Sequence, residues 1–291
     1  MKNKGIIFVL LAGTLWGAMG VFVRNMNAYG VQTLEITQFR VTFALLVLGL
    51  YLLLFQPQML KIRLKDIWCF LGTGVISMLF CTVCYFQSMS YVSLSTAGVL
   101  LYTAPIFVML MSIPLFRERI TPAKVLALVL SFAGCALVSG AGSGGGNWLG
   151  ILLGLGSGLF YALYSVFSRY AINRGYHSWT ITFYTFFFGT IGCSFMVNWQ
   201  AVGTAVAAAD AVFWLWAVGV GVVTGFLPYL FYSKGLEAME SSKASIVASV
   251  EPVVGTLFGV FLFHEPLGIP AIIGILLVLG AICVLSLLEK K

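Results

Sequence analysis

The amino-acid sequence predicts an all-α membrane protein of ten transmembrane helices, arranged as two inverted repeats of five helices. Three observations predict this fold: an apolar composition, long stretches without charge, and a similarity between the two halves of the chain. Of the 291 residues, 60% are hydrophobic and only 9% are charged, whereas soluble domains carry roughly 25% charged residues. The mean hydropathy of +1.03 agrees with this composition, which excludes a water-soluble fold of this length.

The charge-free stretches predict helices as the spanning elements. Residues 67–116 and 125–168 contain no Asp, Glu, Lys or Arg, and each stretch is long enough for two helices of about 20 apolar residues. Lipid offers no hydrogen-bond partners to the backbone, so only helices or a closed barrel, in which every backbone group is paired, can span it. A barrel requires short segments of alternating polarity, whereas these stretches are apolar on every face.

Ten apolar segments are predicted to cross the membrane. The first begins after Lys2 and Lys4, as a signal peptide does, but no convincing cleavage site follows it and it is counted as a helix. The fifth is the weakest, because it is short and rich in small residues. The predicted spans are residues 5–23, 36–55, 67–87, 97–116, 123–139, 148–168, 179–197, 211–233, 244–263 and 267–288.

The basic residues in the short loops predict the orientation. If the N-terminus is inside, every Lys and Arg except Arg24 and Arg40 falls inside. Cytoplasmic loops carry an excess of Lys and Arg, so both termini are expected in the cytoplasm and the chain in the plasma (inner) membrane. The formal charge of +7 does not indicate nucleic acid as a partner, because the basic residues lie in short turns and form no cluster.

The two halves of the chain resemble each other in sequence. At a separation of 147 residues (265 − 118), residues 66–118 align with residues 213–265. Apolar bias alone would not readily match proline, tyrosine and a terminal glutamate. The identical pairs include Tyr85 and Tyr232, Pro105 and Pro252, and Glu118 and Glu265.

The two repeats are predicted to face opposite ways. Residues 1–140 form the first repeat, 141–147 a flexible Gly/Ser linker, and 148–291 the second repeat. Five spans per repeat is an odd number, so Glu118 falls inside and its equivalent Glu265 falls outside. Inverted repeats around a site at the membrane midplane are the usual plan of secondary transporters.

Several short motifs along the chain carry a family resemblance. They are Leu15-Trp16-Gly17, Phe39-Arg40, Tyr102-Thr103-Ala104-Pro105 with Phe116-Arg117-Glu118, and Val250-Glu251-Pro252 with Phe263-His264-Glu265. Together they resemble the EamA-type ten-helix members of the drug/metabolite transporter superfamily, over the whole chain. The resemblance implies export of amino acids, related metabolites or toxic compounds through a central cavity between the halves. Import or exchange of a small metabolite is the alternative.

Glu251 and Arg40 are the leading candidates for a substrate site. A charge inside a span costs roughly 2.5–3.5 kcal/mol on insertion scales, so such residues pair or face water. Glu251 is expected near the bilayer centre, and Arg40 about 6–10 Å below the outer end of its span. Two interpretations are open. Glu251 binds a substrate amine or exchanges a proton, or the two residues are structural anchors bonded to backbone or to each other.

Prolines and aromatic residues at similar depth are further candidates. Pro105 and Pro252 each remove an amide and free the carbonyl four residues earlier, so both a shape-setting kink and a gate at the site are open. A buried tyrosine hydroxyl needs a partner, and some of the tyrosines are expected to line a wet cavity. The aromatic candidates are Trp16, Tyr85, Tyr102, Tyr161, Tyr164, Tyr229 and Tyr232.

Neither a cofactor nor a metal site is expected, although proton coupling stays open. Cys81-x-x-Cys84 has the spacing of a redox or metal pair, but it lies in an apolar span without a second pair or a suitably placed His. An intramembrane enzyme would need a catalytic set at membrane depth, and Ser157 has no histidine there. A channel or a scaffold is the other alternative. The expected partners are a small-molecule substrate and the lipid bilayer, in a monomer or homodimer.

Glycines spaced four residues apart predict close contacts between helices. Such stripes occur in the first, sixth and ninth predicted spans. Their members are Gly13 and Gly17, then Gly150, Gly154 and Gly158, and finally Gly255 and Gly259.

Overall fold

The computed structural model describes residues 2–140 and 147–288, and within these residues every regular element is helical. Among the described residues, eight helices are long and apolar enough to cross a membrane. Numbered in the predicted order, they are the first span, Lys4–Asn27; the second, Thr33–Phe55; the third, Leu64–Met89; the fourth, Leu94–Phe116; the sixth, Trp148–Asn173; the eighth, Ala211–Ala238; the ninth, Ser241–Phe263; and the tenth, Ile269–Leu288.

The fifth and seventh spans are shorter than the others. Pro122–Val138 and Ser178–Ser194 have 17 residues each, or about 25 Å of helix at 1.5 Å per residue. That length is at the lower end of what crosses a bilayer, so the count of ten spans depends on these two helices. The predicted seventh span, 179–197, is wrong at its end. The chain bends there by 103° into Trp199–Ala207, because the side chain of Asn198 caps a new helix.

Several helices extend beyond the predicted spans. The fourth begins at Leu94 rather than at residue 97, since the Ser93 hydroxyl accepts a hydrogen bond from the amide of Thr96 at 3.1 Å and caps the helix. The ninth begins at Ser241 rather than at residue 244. Hydropathy reports where lipid ends, whereas the helical hydrogen bonds continue until a cap replaces them.

The spans of the two halves pack with two-fold pseudosymmetry. The third span packs on the sixth, and its equivalent, the eighth, packs on the first. The second span packs on the eighth, and its equivalent, the seventh, packs on the third. The fifth and tenth spans, which are equivalent, share an extensive contact with each other. A Cβ added to Gly134 would lie 2.7 Å from the carbonyl oxygen of Gly274, so glycine permits this crossing. Residues 141–146 of the predicted linker lie outside the described residues.

The fourth and ninth spans are each broken near the middle. The fourth consists of Leu94–Leu101 and Ala104–Phe116, and the ninth of Ser241–Ala248 and Val250–Phe263. Both breaks lie just before the equivalent prolines Pro105 and Pro252, as loss of the proline amide predicts.

The third and eighth spans share a different irregularity. Their central turns, Gly72–Leu79 and Val220–Phe226, are π-helical and occupy equivalent places in the two repeats. Such turns are rare in proteins as a whole, and those that occur are often at functional sites. No pattern in the sequence indicated these π-helical turns.

Candidate functional site

A cavity lies beside the breaks of the fourth and ninth spans, with about 320 Å³ of space between protein atoms that includes space open to solvent. The sixth and eighth spans complete its wall. Among the lining residues that the structure describes, Glu251 carries the only formal charge. The lining residues are Tyr102, Ala104, Pro105, Val108, Tyr161, Ala162, Ser165, Tyr232, Ser245, Ala248, Ser249 and Glu251.

The Glu251 carboxylate is held at the start of a half-helix. Glu251 is the second residue of Val250–Phe263, where the partial positive charge of the helix N-terminus favours a carboxylate. The Tyr161 hydroxyl donates a hydrogen bond to Glu251 Oε2 at 3.1 Å. A carboxylate that is fixed in this way beside a cavity can accept charge-assisted hydrogen bonds from a bound ammonium group.

Trp16 organises an aromatic cluster behind the cavity wall. Its ring centroid lies 6.1 Å from that of Tyr161, 5.3 Å from that of Tyr229 and 5.5 Å from that of Tyr232. Tyr161 and Tyr232 also line the cavity, whereas Trp16 is only 7% exposed. The first span therefore supports the cavity tyrosines through Trp16 instead of contributing it to the lining.

Tyr164 belongs to the core between the sixth and eighth spans. It is 2% exposed, and its hydroxyl shares a hydrogen bond with the Ser233 hydroxyl at 2.9 Å. A parallel hydrogen bond joins the hydroxyls of Tyr232 and Ser165 at 2.7 Å. These two bonds tie the sixth span to the eighth at the side of the cavity.

Three other predicted residues lie outside the lining. Arg40 directs Nη1 toward the sulfur of Met19 at 3.9 Å, and its buried Nε has no partner. In the described part of the chain no ion pair joins Arg40 to Glu251, although the two charges attract each other. Tyr85 also lies within electrostatic reach of Glu251. Pro252 is buried in the ninth span.

The small residues of the lining were not predicted from the sequence. Ser165, Ser245 and Ser249 contribute hydroxyls, and Ala104 contributes a methyl group. The alignment of the two repeats could have indicated two of these residues, Ser249 and Ala104. A shift of 147 residues places Ser249 where the first repeat has Tyr102, and places Glu251 where it has Ala104.

Polar contacts join the helices at one end of the cavity, which we call the basic side because Lys124, Arg169 and Lys243 lie there. Lys124 is 1% exposed and pairs with Glu240 at 2.6 Å, joining the fifth span to the residue before the ninth. Burial raises the pKa of Glu240, but Lys124 and Lys243 outweigh burial and hold it below its usual value. Ser241–Ala248 also packs against Ala104–Phe116 on this side.

The other end, which we call the opposite side, is less tightly joined. Within the residues described, no contact of similar extent joins Leu94–Leu101 to Val250–Phe263, although these segments are equivalent to the pair that packs on the basic side. Leu94 is 66% exposed. An exposed ion pair of Arg24 and Glu265 lies here. The two repeats are therefore joined by more contacts on the basic side than on the opposite side.

An all-helical membrane fold of two repeats, with broken helices meeting at a central cavity, defines a membrane transporter. Comparison with known proteins then identifies the family. The chain belongs to the EamA-like transporter family, which matches residues 3–140 and 148–287. The predicted all-helical membrane fold and the family resemblance are confirmed, and the described residues hold eight clear spans, or nine with the bent pair, of the ten predicted.

Relatives with similar sequences are themselves named as transporters. An uncharacterized transporter of Archaeoglobus fulgidus is 31% identical over 95% of this chain and 94% of its own length. The uncharacterized inner membrane transporter YicL of Salmonella typhimurium is 24% identical over 99% of this chain and 97% of its own length. A solved crystal structure with 20% identity superposes with a TM-score of 0.79, covering 100% of this chain and 99% of that one, which shows a shared fold.

Proposed function

We propose that this protein is a secondary transporter that exports amino acids or related amphiphilic amines through the central cavity by alternating access. The observation that carries the proposal is the Glu251 carboxylate, held by Tyr161 in a cavity that otherwise offers aromatic, hydroxyl and apolar groups. An ammonium group gains both from the carboxylate and from the faces of the surrounding tyrosines. An anionic solute would meet only repulsion from Glu251.

Arg40 supports a zwitterion as the preferred substrate. Its Nε is buried without a hydrogen-bond partner, and its Nη1 faces only the weakly accepting sulfur of Met19. A charge inside a span is costly. A carboxylate is the group that guanidinium binds best. Arg40 lies outside the cavity lining but within electrostatic reach of Glu251, so it attracts the carboxylate of a substrate whose ammonium is bound by Glu251.

We expect saturable counterflow of phenylalanine in liposomes that contain the purified protein. Two analogues isolate the two charges. Phenylpropionate lacks the amine and is expected to be carried at least tenfold less efficiently, because a charge-assisted hydrogen bond contributes about 1.5–3 kcal/mol. Phenethylamine lacks the carboxylate and is expected to lose less, because it retains the contact with Glu251.

Two outcomes would contradict the proposal. One is equal transport of phenylpropionate and phenylalanine, which would remove Glu251 as an amine site. The other is the absence of saturable counterflow for amines of any kind. Imposing a pH gradient tests coupling separately, since indifference to the gradient excludes proton exchange and leaves the carrier intact.

The orientation of the chain in the membrane and its localisation belong to the same proposal. The excess of Lys and Arg on the basic side supports a cytoplasmic location for that side, and the name of the Salmonella relative supports the inner membrane. Ile120 and Ile269 are 58% and 74% exposed, on the basic and the opposite side respectively. In a cysteine-free background, we expect a membrane-impermeant maleimide to label Ile269→Cys in intact cells but Ile120→Cys only after lysis. The reverse pattern would invert the orientation.

A further inference from the structure

Two turns of the same construction follow the fourth and ninth spans. Arg117 and His264 have φ angles of 55° and 54° and are the only non-glycine residues with positive φ in the described chain. The next residues are Glu118 and Glu265. Each donates its amide to the carbonyl six residues earlier, at 3.3 Å for Glu118 and 3.2 Å for Glu265. The two glutamates therefore leave their helices in the same way, one on each side of the membrane.

On the basic side, Glu118 binds the start of the ninth span. Its carboxylate accepts hydrogen bonds from the amide of Ser241 at 2.7 Å, the amide of Ser242 at 3.2 Å, and the Ser242 hydroxyl. These amides lack partners within their own helix, and the helix dipole adds to the attraction. Ser241 and Ser242 are buried. Glu118 thus joins the fourth span of the first repeat to the ninth span of the second.

On the opposite side, the equivalent contact is not made. The residues 147 positions before Ser241 and Ser242 are Leu94 and Ser95, which begin the fourth span. In the described structure Glu265 pairs with Arg24 instead, and Leu94 is 66% exposed. The two equivalent carboxylates therefore have different partners: Glu118 caps a helix of the other repeat on the basic side, and Glu265 forms an exposed ion pair on the opposite side.

The arginines beside these glutamates are also equivalent. Arg24 and Arg169 are 145 residues apart (169 − 24), the separation that aligns the first span with the sixth. Arg169 donates Nε to the Ser241 hydroxyl at 3.1 Å and its Nη2 to the Met239 carbonyl, and it is attracted by Glu118. On each side an arginine of one repeat thus stands beside a glutamate of the other.

We propose that Glu118 and Glu265 are positioning residues that latch the two sides alternately. Glu118 holds the basic side closed in the conformation described. When it releases Ser241 and Ser242, Glu265 leaves Arg24 and caps Leu94 and Ser95, which closes the opposite side. One cap replaces the other, so the two conformations stay close in free energy, as a carrier requires. The proposal rests on the alternating access of the proposed function.

The latch is tested by measuring conformation without substrate. Spin labels at Leu94→Cys and Ile269→Cys, in a background without the six native cysteines, report the distance across the opposite side in nanodiscs. The parent is expected to show mainly the long distance. Glu118→Ala is expected to raise the ratio of short to long distances about tenfold, the size expected for loss of a charge-assisted cap. Adding Glu265→Ala is expected to remove the short distance again.

Glu237→Ala is the matched control. Glu237 also lies on the basic side and accepts a hydrogen bond from a helix-start amide, that of Ser178 at 2.7 Å, but both residues belong to the second repeat. It is expected to leave the distances unchanged. If Glu118→Ala gave the same distances as Glu237→Ala while folded, the latch would be refuted. If Glu118→Ala shifts the spin-label distances as expected but the protein carries no solute, the proposed transport would be refuted and the latch would be supported.

Discussion

Replacing Glu251 with glutamine is expected to reduce amine counterflow at least tenfold while the protein remains folded. Glutamine keeps the shape of the side chain and an oxygen that can accept the Tyr161 hydrogen bond seen at 3.1 Å. It loses the charge, which contributes about 1.5–3 kcal/mol to a hydrogen bond with an ammonium group. Counterflow of phenylalanine over a range of concentrations, in liposomes with matched protein content, measures the loss as a change in kcat/KM.

Tyr161→Phe is the neighbouring control for this prediction. It removes the hydroxyl that holds Glu251 but keeps both the aromatic ring and the carboxylate, so a smaller, few-fold reduction is expected. Thermal unfolding of both variants checks that the fold is intact. Transport by Glu251→Gln at the rate of the parent would show that the carboxylate is a structural anchor, which was the alternative interpretation of the sequence.

The spans and the repeat were predictable because they depend on composition and register alone. Lipid requires a long apolar run for each helix, and eight of the described helices coincide with such runs. The breaks in the fourth and ninth spans were predictable from Pro105 and Pro252, since the missing amide acts locally. Glu251 stood out for the same kind of reason, because a lone carboxyl in an apolar segment needs an explanation.

Features that depend on packing were not predictable from the sequence. The π-helical turns lie where helices press closely: a Cβ on Gly74 would meet the carbonyl of Thr185 at 2.6 Å, and one on Gly221 would meet Phe43 at 2.5 Å. The positive φ of Arg117 and His264 was not predictable either, because only a few per cent of non-glycine residues adopt that conformation. Which tyrosines line the cavity and which pack in the core, as Tyr164 does, also depends on neighbours from other spans.

The contacts of Glu118 show how a motif can be noticed without its role being found. The sequence indicated that Glu118 and Glu265 are equivalent and lie on opposite sides. It did not indicate that Glu118 reaches the amides of Ser241 and Ser242, because these partners are more than a hundred positions away and belong to the other repeat. Only the packing of the two halves brings them within hydrogen-bonding distance.

The glycine stripe of the sixth span allows a prediction in which two neighbouring substitutions have opposite effects. Gly158→Ala is expected to destabilise the protein by about 1–3 kcal/mol, the usual cost of overpacking. Its Cβ would lie 2.8 Å from the carbonyl oxygen of Leu100 and would also collide with Thr103. Both obstacles belong to the break of the fourth span, and a backbone carbonyl cannot move aside as a flexible side chain can.

Gly156→Ala, two positions away in the same helix, is expected to be neutral or to stabilise by up to about 1 kcal/mol, because alanine is the better helix former. The nearest atom to its Cβ would be the sulfur of Cys84 at 3.8 Å, an ordinary contact. Thermal unfolding of the two purified variants in the same detergent compares them directly. Equal melting temperatures would show that the sixth span is free to move away from the break, and the cavity wall would then not depend on the close approach at Gly158.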